Sequence, residues 1–116
     1  MKGAFPMSVI YCLCPAFYWE NFRNAHEYIP RDYEQEGFIH ATKGDDLLIK
    51  VVNRVYKNFT DELLVLVIDE KNVTAEVRYE QAKDGNLYPH IYGPLNTNAI
   101  MEIKQMNRTK NGWTIG

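Results

Sequence analysis

The chain has 116 residues, of which 46% are hydrophobic and 24% charged, as in an ordinary soluble globular protein. This length predicts a single domain over residues 7–116 after a short N-terminal tail at residues 1–6, without room for a separate cofactor domain. Thirteen Lys and Arg against fifteen Asp and Glu give a net charge of −2, which argues against DNA as a ligand.

The N-terminal stretch and the two cysteines indicate a cytoplasmic protein. Pro6 and Ser8 interrupt the early apolar residues, so no signal peptide is predicted. No apolar run approaches the ~18 residues that span a membrane. Cys12 and Cys14 lie two residues apart, at the upper limit of disulfide geometry on a strand, so we expect reduced thiols.

The first half of the chain alternates predicted strands and helices. In chain order we predict a buried strand (8–13), a helix starting at Pro15, a loop (29–33), a strand (37–42) and a helix (43–59). The last helix is the clearest, because one apolar stripe runs along it: Leu47, Leu48, Val51, Val52 and Val55.

The second half is predicted to consist mostly of strands. Residues 63–69 show no polar alternation, which indicates a strand covered on both faces, whereas residues 76–80 alternate with period two. Turns at 84–86 and 111–112 separate further short strands: 91–92, 99–106 and 113–115. Because helices come early and strands late, we predict an α+β fold: a twisted, mainly antiparallel or split sheet with two flanking helices.

Several enzyme classes are excluded because their motifs are missing. The chain has no GxxxxGK[ST] or GxGxxG segment, which excludes P-loop nucleotide hydrolysis and Rossmann-type dinucleotide binding. It has no HExxH and no second pair of zinc ligands beside its CxC. Serine hydrolysis is excluded because the only serine, Ser8, is not in a GxSxG turn.

Two polar clusters interrupt apolar stretches and contain the candidate site residues. In residues 36–42, His40 and Thr42 share one face of the predicted strand, and the residues between them face the core. In residues 87–94, prolines and a glycine stiffen a row of side chains that point the same way: Tyr88, His90 and Tyr92. Such a row suits a planar ligand, while a purely structural hydrogen bond is the alternative for each histidine.

Arg78 and Glu80 alternate onto one face of a predicted strand and allow two interpretations. They either pair with each other, or Arg78 binds an anionic ligand while Glu80 acts on a hydroxyl group. A third arrangement, a metal site, can be written from four residues: Cys12, Cys14, His40 and His90. Its spacing matches no standard zinc pattern.

Taken together, residues 37–40 (GFIH) and 89–95 (PHIYGPL) form a combination that is not expected by chance. With these two segments, the sequence resembles the DUF952 family of uncharacterised small bacterial proteins. The resemblance runs from about residue 9 to about residue 103 and includes further segments: 11–13, Trp19, 27–30, 52–56, 64–69 and 77–80.

The resemblance implies an ADP-ribosyltransferase-like fold, in which a split sheet forms a cleft for NAD. On this basis the candidate catalytic residues are His40, Glu80 and His90. The candidate ligand-binding residues are Cys12, Thr42, Arg78, Tyr88 and Tyr92. The implied chemistry is departure of nicotinamide from an oxocarbenium-like ribose, with NAD as substrate, no required cofactor and no resident metal.

One position departs from the family pattern. Family members typically carry histidine in the first strand where this chain has Cys12, and a thiol is too weak a donor to hold a ribose as imidazole does. The leading hypothesis is therefore a domain that binds a small nucleotide-like ligand, with ADP-ribosyltransferase-like activity on NAD. The competing hypotheses are a non-catalytic module for a metabolite or protein partner, and a metal-dependent enzyme that uses the histidines.

Overall fold

Antiparallel pairing organises the whole fold. In the computed structural model, which describes residues 8–115, nine strands form three sheets. The largest sheet has the strand order β1-β4-β8-β9, with bounds Val9–Pro15, Leu63–Asp69, Ile100–Thr109 and Gly112–Ile115. The predicted N-terminal tail at residues 1–6 lies outside the described residues.

Two smaller sheets complete the architecture. One has the order β3-β6-β5, with bounds Ile39–His40, Leu87–Tyr92 and Glu76–Gln81. The other pairs β2 (Glu27–Tyr28) with β7 (Leu95–Asn96). A single bridge, in which Tyr11 and Thr42 exchange two backbone hydrogen bonds of 2.8 and 2.9 Å, joins β1 to the chain just after β3.

Helices are few in the described part of the chain. α1 (Ala16–Trp19) and α2 (Tyr33–Glu36) are single turns, and only α3 (Asp45–Val55) is a helix of three turns. Leu48 and Val52 are the fully buried residues of α3, as its apolar stripe predicted. Together with the antiparallel sheets, this confirms a small α+β domain.

The core divides into two clusters on opposite faces of the large sheet. One lies between the large sheet and the β3-β6-β5 sheet and includes Ile10, Leu66, Ile39 and Ile91. The other lies under α3, where Leu48 and Val52 pack with Leu63, Val65, Met106 and Trp113. β4 supplies residues to both clusters, so the prediction that residues 63–69 are covered on both faces is confirmed.

Of the two predicted flanking helices, the one after Pro15 was wrong, whereas the other is α3. After Pro15 the chain forms only α1 and a 3-10 turn at Glu20–Phe22, because the aromatic residues there pack around Tyr28 from different directions. The predicted loop 29–33 ends one residue early, since Tyr33 begins α2. That helix closes at Gly37, whose φ of 83° suits glycine.

None of the helices in residues 8–115 is long and apolar enough to cross a membrane.

Candidate functional site

A cleft of about 540 Å³ opens between the large sheet and the β5–β6 hairpin. Its walls include residues of β1, the β2–α2 loop, β3, α3 and β6, so parts of the chain that are distant in sequence meet there. A volume of this size is typical of small-molecule sites, which occupy roughly 300–1,000 Å³. The cleft is therefore the candidate ligand site.

His40 and His90 lie side by side in this cleft. They are register partners in the antiparallel pair of β3 and β6, and their ring centroids are 5.3 Å apart. Phe38 stacks on His90 with ring centroids 4.0 Å apart and also contacts the edge of His40. The two segments singled out in the sequence thus meet through their histidines.

Glu80 fixes the orientation of the His90 ring. Its Oε1 accepts hydrogen bonds from His90 Nδ1 at 2.6 Å and from the Tyr92 hydroxyl at 2.5 Å. The Tyr92 and His90 hydrogen bonds hold the pKa of Glu80 below its usual value, so this side chain is a carboxylate. A carboxylate facing Nδ1 places the proton of the neutral ring on that nitrogen and leaves Nε2 as an acceptor.

The free nitrogen of His90 is accessible. Nε2 makes no hydrogen bond with residues 8–115. Every fully buried side-chain nitrogen or oxygen in this part of the chain has a partner, so Nε2 must be in contact with solvent. His40 differs, because its Nε2 pairs with Glu36 Oε1 at 2.8 Å and the side chain is 55% exposed. The arrangement thus offers one oriented proton acceptor, His90, and one more exposed imidazole, His40, beside it.

Cys12 and Thr42 also line the cleft, but their groups differ in availability. Burial raises the pKa of the Cys12 thiol to about 12, and the thiol donates to the backbone oxygen of His40 at 3.4 Å. Cys12 is therefore a neutral wall residue and not a nucleophile. The Thr42 hydroxyl makes no hydrogen bond with the described residues and is free to contact a ligand.

The structure places the remaining predicted residues in two locations. Tyr88 lines the cleft and donates its hydroxyl to Asp84 at 2.6 Å. Arg78, Glu80 and Tyr92 are not lining residues of the cleft; Glu80 and Tyr92 lie behind His90.

Of the two interpretations of Arg78 and Glu80, the ion pair between them is not formed. Arg78 forms two hydrogen bonds with Glu76, of 2.9 and 3.0 Å, and its guanidinium lies 4.3 Å from the Tyr92 ring centre. Glu80 is engaged by His90 and Tyr92, so Glu76 is the carboxylate left for Arg78 on that face of β5.

Sequence reasoning missed several residues of the cleft wall. Arg31 and Asp32 come from the β2–α2 loop, Arg54 comes from the last turn of α3, and the aromatic residues Tyr11, Tyr18 and Tyr56 complete the wall. No local pattern indicates them, because they are far apart in the chain and are brought together only by the packing of α3 against β1. The one available signal in the sequence was Arg54, an arginine at the edge of the apolar stripe of α3, which could have indicated a charged residue at the cleft wall.

A metal site would require the two cysteines and the two cleft histidines to converge. Within residues 8–115, no group of three or more His, Cys, Asp or Glu side chains has the arrangement of a metal site. The two thiols are also unsuited to metal binding, since both are buried and uncharged.

A family model described as "Protein of unknown function (DUF952)" matches residues 13–103. The chain belongs to the DUF952 family. The match includes every candidate site residue of this DUF952 protein except Cys12, which precedes the matched range by one residue. It confirms the resemblance noted from the GFIH and PHIYGPL segments.

Solved structures show the same fold. The crystal structure of protein CC0527 from Caulobacter crescentus has a TM-score of 0.80 at 16% identity, covering 91% of this chain and 92% of that chain. The solution NMR structure of CC0527 gives a TM-score of 0.76 at 17% identity, covering 92% of this chain and 91% of that one. At this identity the likeness shows a shared fold alone. No curated protein matches the chain.

Proposed function

We propose that the cleft binds a small ligand of the nucleotide class, NAD or a related nucleotide. The observation that carries the proposal is the pairing of His40 and His90 at the wall of a 540 Å³ cleft, with the His90 ring held by Glu80. Imidazole and tyrosine rings offer flat apolar faces, and Thr42 and the histidines offer polar atoms for ribose hydroxyls. This combination of a planar group and several hydroxyls is what a nucleoside presents.

Transfer of ADP-ribose from NAD is the finer proposal, and it rests on the family resemblance. Glu80 supports it through His90: it does not line the cleft, but its ionised carboxylate holds the His90 ring at the wall beside the position proposed for the ribose. Cys12 counts against it, because its buried thiol already donates to the His40 carbonyl. A non-catalytic binding module is therefore the second candidate, and Cys12 is the observation that favours it.

Ligand binding is tested by thermal unfolding with NAD, ADP-ribose and AMP. At a ligand concentration of about 100 times Kd, binding to the folded state adds about 2.7 kcal/mol and raises Tm by about 10 °C in a domain of this size. His90→Ala and His40→Ala should abolish the shift. His26→Ala is the matched control, because His26 is exposed and does not line the cleft.

The outcomes separate the candidates. If none of the three nucleotides at millimolar concentration raises Tm of the wild-type protein, the nucleotide proposal is wrong. If NAD binds and free nicotinamide accumulates in the wild type but not in Glu80→Gln, cleavage of NAD is supported; free ADP-ribose in equal amount shows that water is the acceptor, and covalently bound ADP-ribose shows transfer to another acceptor. If NAD binds and remains intact, the protein is a binding module.

A further inference from the structure

The five arginines of the chain divide into two groups by their hydrogen bonds. Three guanidinium groups donate to carboxylates or carbonyl oxygens of the chain: Arg23, Arg78 and Arg108. The other two, Arg31 and Arg54, donate no hydrogen bond to any of residues 8–115. These two are also the arginines that line the cleft. The guanidinium groups that make no hydrogen bond with the described residues thus coincide with the candidate ligand site.

Arg31 is positioned without using its donors. It follows Pro30 in the β2–α2 loop, and its guanidinium carbon lies 5.5 Å from the Phe17 ring centre and 5.7 Å from that of Tyr18. Contact with ring faces restrains a guanidinium while leaving its five N–H groups available. Arg31 can therefore donate into the cleft without first breaking an existing hydrogen bond.

Arg54 faces the same space from the last turn of α3. Its Nη1 forms an ion pair with Asp84 Oδ2 at 3.8 Å, a distance too long for a hydrogen bond. Asp84 already accepts hydrogen bonds from the Tyr88 hydroxyl and the Asn86 amide. The side chain of Arg54 is 58% exposed, so its N–H groups are accessible to a ligand in the cleft.

The charge of the cleft wall favours an anion. Its lining contains two arginines and one carboxylate, Asp32, and no lysine. A planar guanidinium with paired N–H groups matches the oxygens of a phosphate, and binds it in a bidentate manner more readily than an ammonium does.

We propose that Arg31 and Arg54 form an anion subsite that binds the phosphate or diphosphate group of the cleft ligand. This inference rests on the proposed function and deepens it, because it fixes the ligand class as phosphorylated and its direction in the cleft. The phosphate lies at the rim between the β2–α2 loop and α3, and the planar group lies toward His40 and His90. The sequence suggested Arg78 as the anion-binding residue; this inference assigns that role to Arg31 and Arg54 instead.

The test compares ligands that differ only in phosphate. By calorimetry, Arg31→Gln and Arg54→Gln should each weaken binding of ADP-ribose and AMP by about 10- to 100-fold, the loss expected for charge-assisted hydrogen bonds. Binding of adenosine should change less than threefold in the same variants. Arg78→Gln and Arg23→Gln are the controls, since both residues are arginines engaged outside the cleft.

Two results would overturn the subsite. One is unchanged ADP-ribose affinity in both cleft variants while His90→Ala abolishes binding, which leaves the proposed function intact. The other is an equal loss for AMP and adenosine, which indicates a general disturbance of the cleft.

A second measurement keeps the subsite testable if no nucleotide binds. Titration with inorganic pyrophosphate should shift the Nε–Hε NMR signals of Arg31 and Arg54 but not those of Arg23 and Arg78. Absence of any selective shift contradicts the subsite, independently of the nucleotide proposal.

Discussion

His90 has the most constrained side chain of the cleft. Its ring is stacked on Phe38, bonded to Glu80 through Nδ1, and 5.3 Å from its register partner His40. Residues of β3 and β5, together with Phe38 just before β3, therefore surround one imidazole, while its other nitrogen remains accessible. Such fixation by a second layer of residues is what positions a ligand-contacting group accurately.

Removing the Glu80 carboxylate should release the His90 tautomer. In the wild type we expect a single neutral tautomer with the proton on Nδ1, because Glu80 Oε1 lies 2.6 Å from that nitrogen. In Glu80→Ala, long-range ¹H–¹⁵N NMR at pH 8 should show a substantial fraction with the proton on Nε2. Glu76→Ala removes a carboxylate from the same strand and should leave His90 unchanged. A persistent Nδ1-protonated ring in Glu80→Ala would contradict the orienting role.

Single residues also show how far the sequence predicts the site. Alternation along strands predicts shared faces for His40 with Thr42 and for Tyr88 with His90, because side-chain direction follows from the period of a strand, and all four residues line one cleft. The partner of Arg78 did not follow, because Glu76 and Glu80 lie on the same face of β5 and only side-chain contacts decide between them. The position of Arg31 at the cleft could not be predicted either, because it depends on tertiary contacts with Phe17 and Tyr18.

At the level of elements, α3 and β9 are joined by one side chain. The Asn53 amide donates to the Trp113 carbonyl at 3.1 Å and its oxygen accepts from the Trp113 amide at 2.8 Å, so Asn53 acts as a strand partner for β9. Gly112 makes this approach possible. A Cβ atom at Gly112 would overlap with Asn53 Oδ1 and lie 3.2 Å from Asn53 Cγ.

Gly112→Ala should therefore destabilise the protein more than an equivalent change elsewhere. Its φ of 115° and the contact with Asn53 both oppose a side chain, and we expect a loss of about 2–4 kcal/mol in the free energy of unfolding. Gly85→Ala is the matched control, since Gly85 has a φ of 86° and a Cβ atom there would have no neighbour within 4 Å. Urea unfolding that gives equal losses for the two variants would show that the Asn53 contact is unimportant.

The elements themselves were predictable where one periodicity extended over several turns or a full strand. The apolar stripe of α3 and the uninterrupted apolar run of β4 are such cases, and both were confirmed. The segment after Pro15 was not, because its aromatic residues serve a cluster around Tyr28 whose geometry requires the chain to turn after Trp19. The two-residue strands β2 and β7 carry no periodicity at all.

At the scale of the whole molecule, Glu70 connects parts of the two larger sheets. It follows β4 and accepts hydrogen bonds from Ser8 before β1 at 2.6 Å and from Tyr79 of β5 at 2.8 Å, with Lys43 Nζ at 3.5 Å. Burial alone would raise the pKa of Glu70, but the hydrogen bonds from Ser8 and Tyr79 and the charge of Lys43 outweigh it and lower the pKa.

This lowered pKa predicts acid sensitivity. The contribution of Glu70 to stability is fully present above its ordinary pKa of 4.5 and is lost as the pH falls through the lower folded-state pKa. Glu70→Gln should thus be less stable than wild type by about 1–2 kcal/mol at pH 7, the scale of a hydrogen bond to a charged group. The difference should shrink as the pH falls below 4.5 in urea unfolding.

The matched control for this prediction is Glu34→Gln. Glu34 is exposed and its side chain makes no hydrogen bond with residues 8–115. Its replacement should leave the stability difference close to zero at every pH. A Glu70→Gln difference that stays constant through the acid range would show that the carboxylate charge is irrelevant to the contact.

The buried thiols of β1 have a practical consequence for measuring motion. Cys12 and Cys14 are the only cysteines, both are buried in the same strand, and burial keeps them protonated. Cys14 is fully buried away from the cleft, so a thiol reagent can modify it in the native protein only when β1 separates from β4 or from the chain after β3. The rate of labelling at Cys14 therefore reports the frequency of core opening without any engineered probe, and a ligand that fills the neighbouring cleft should slow that rate.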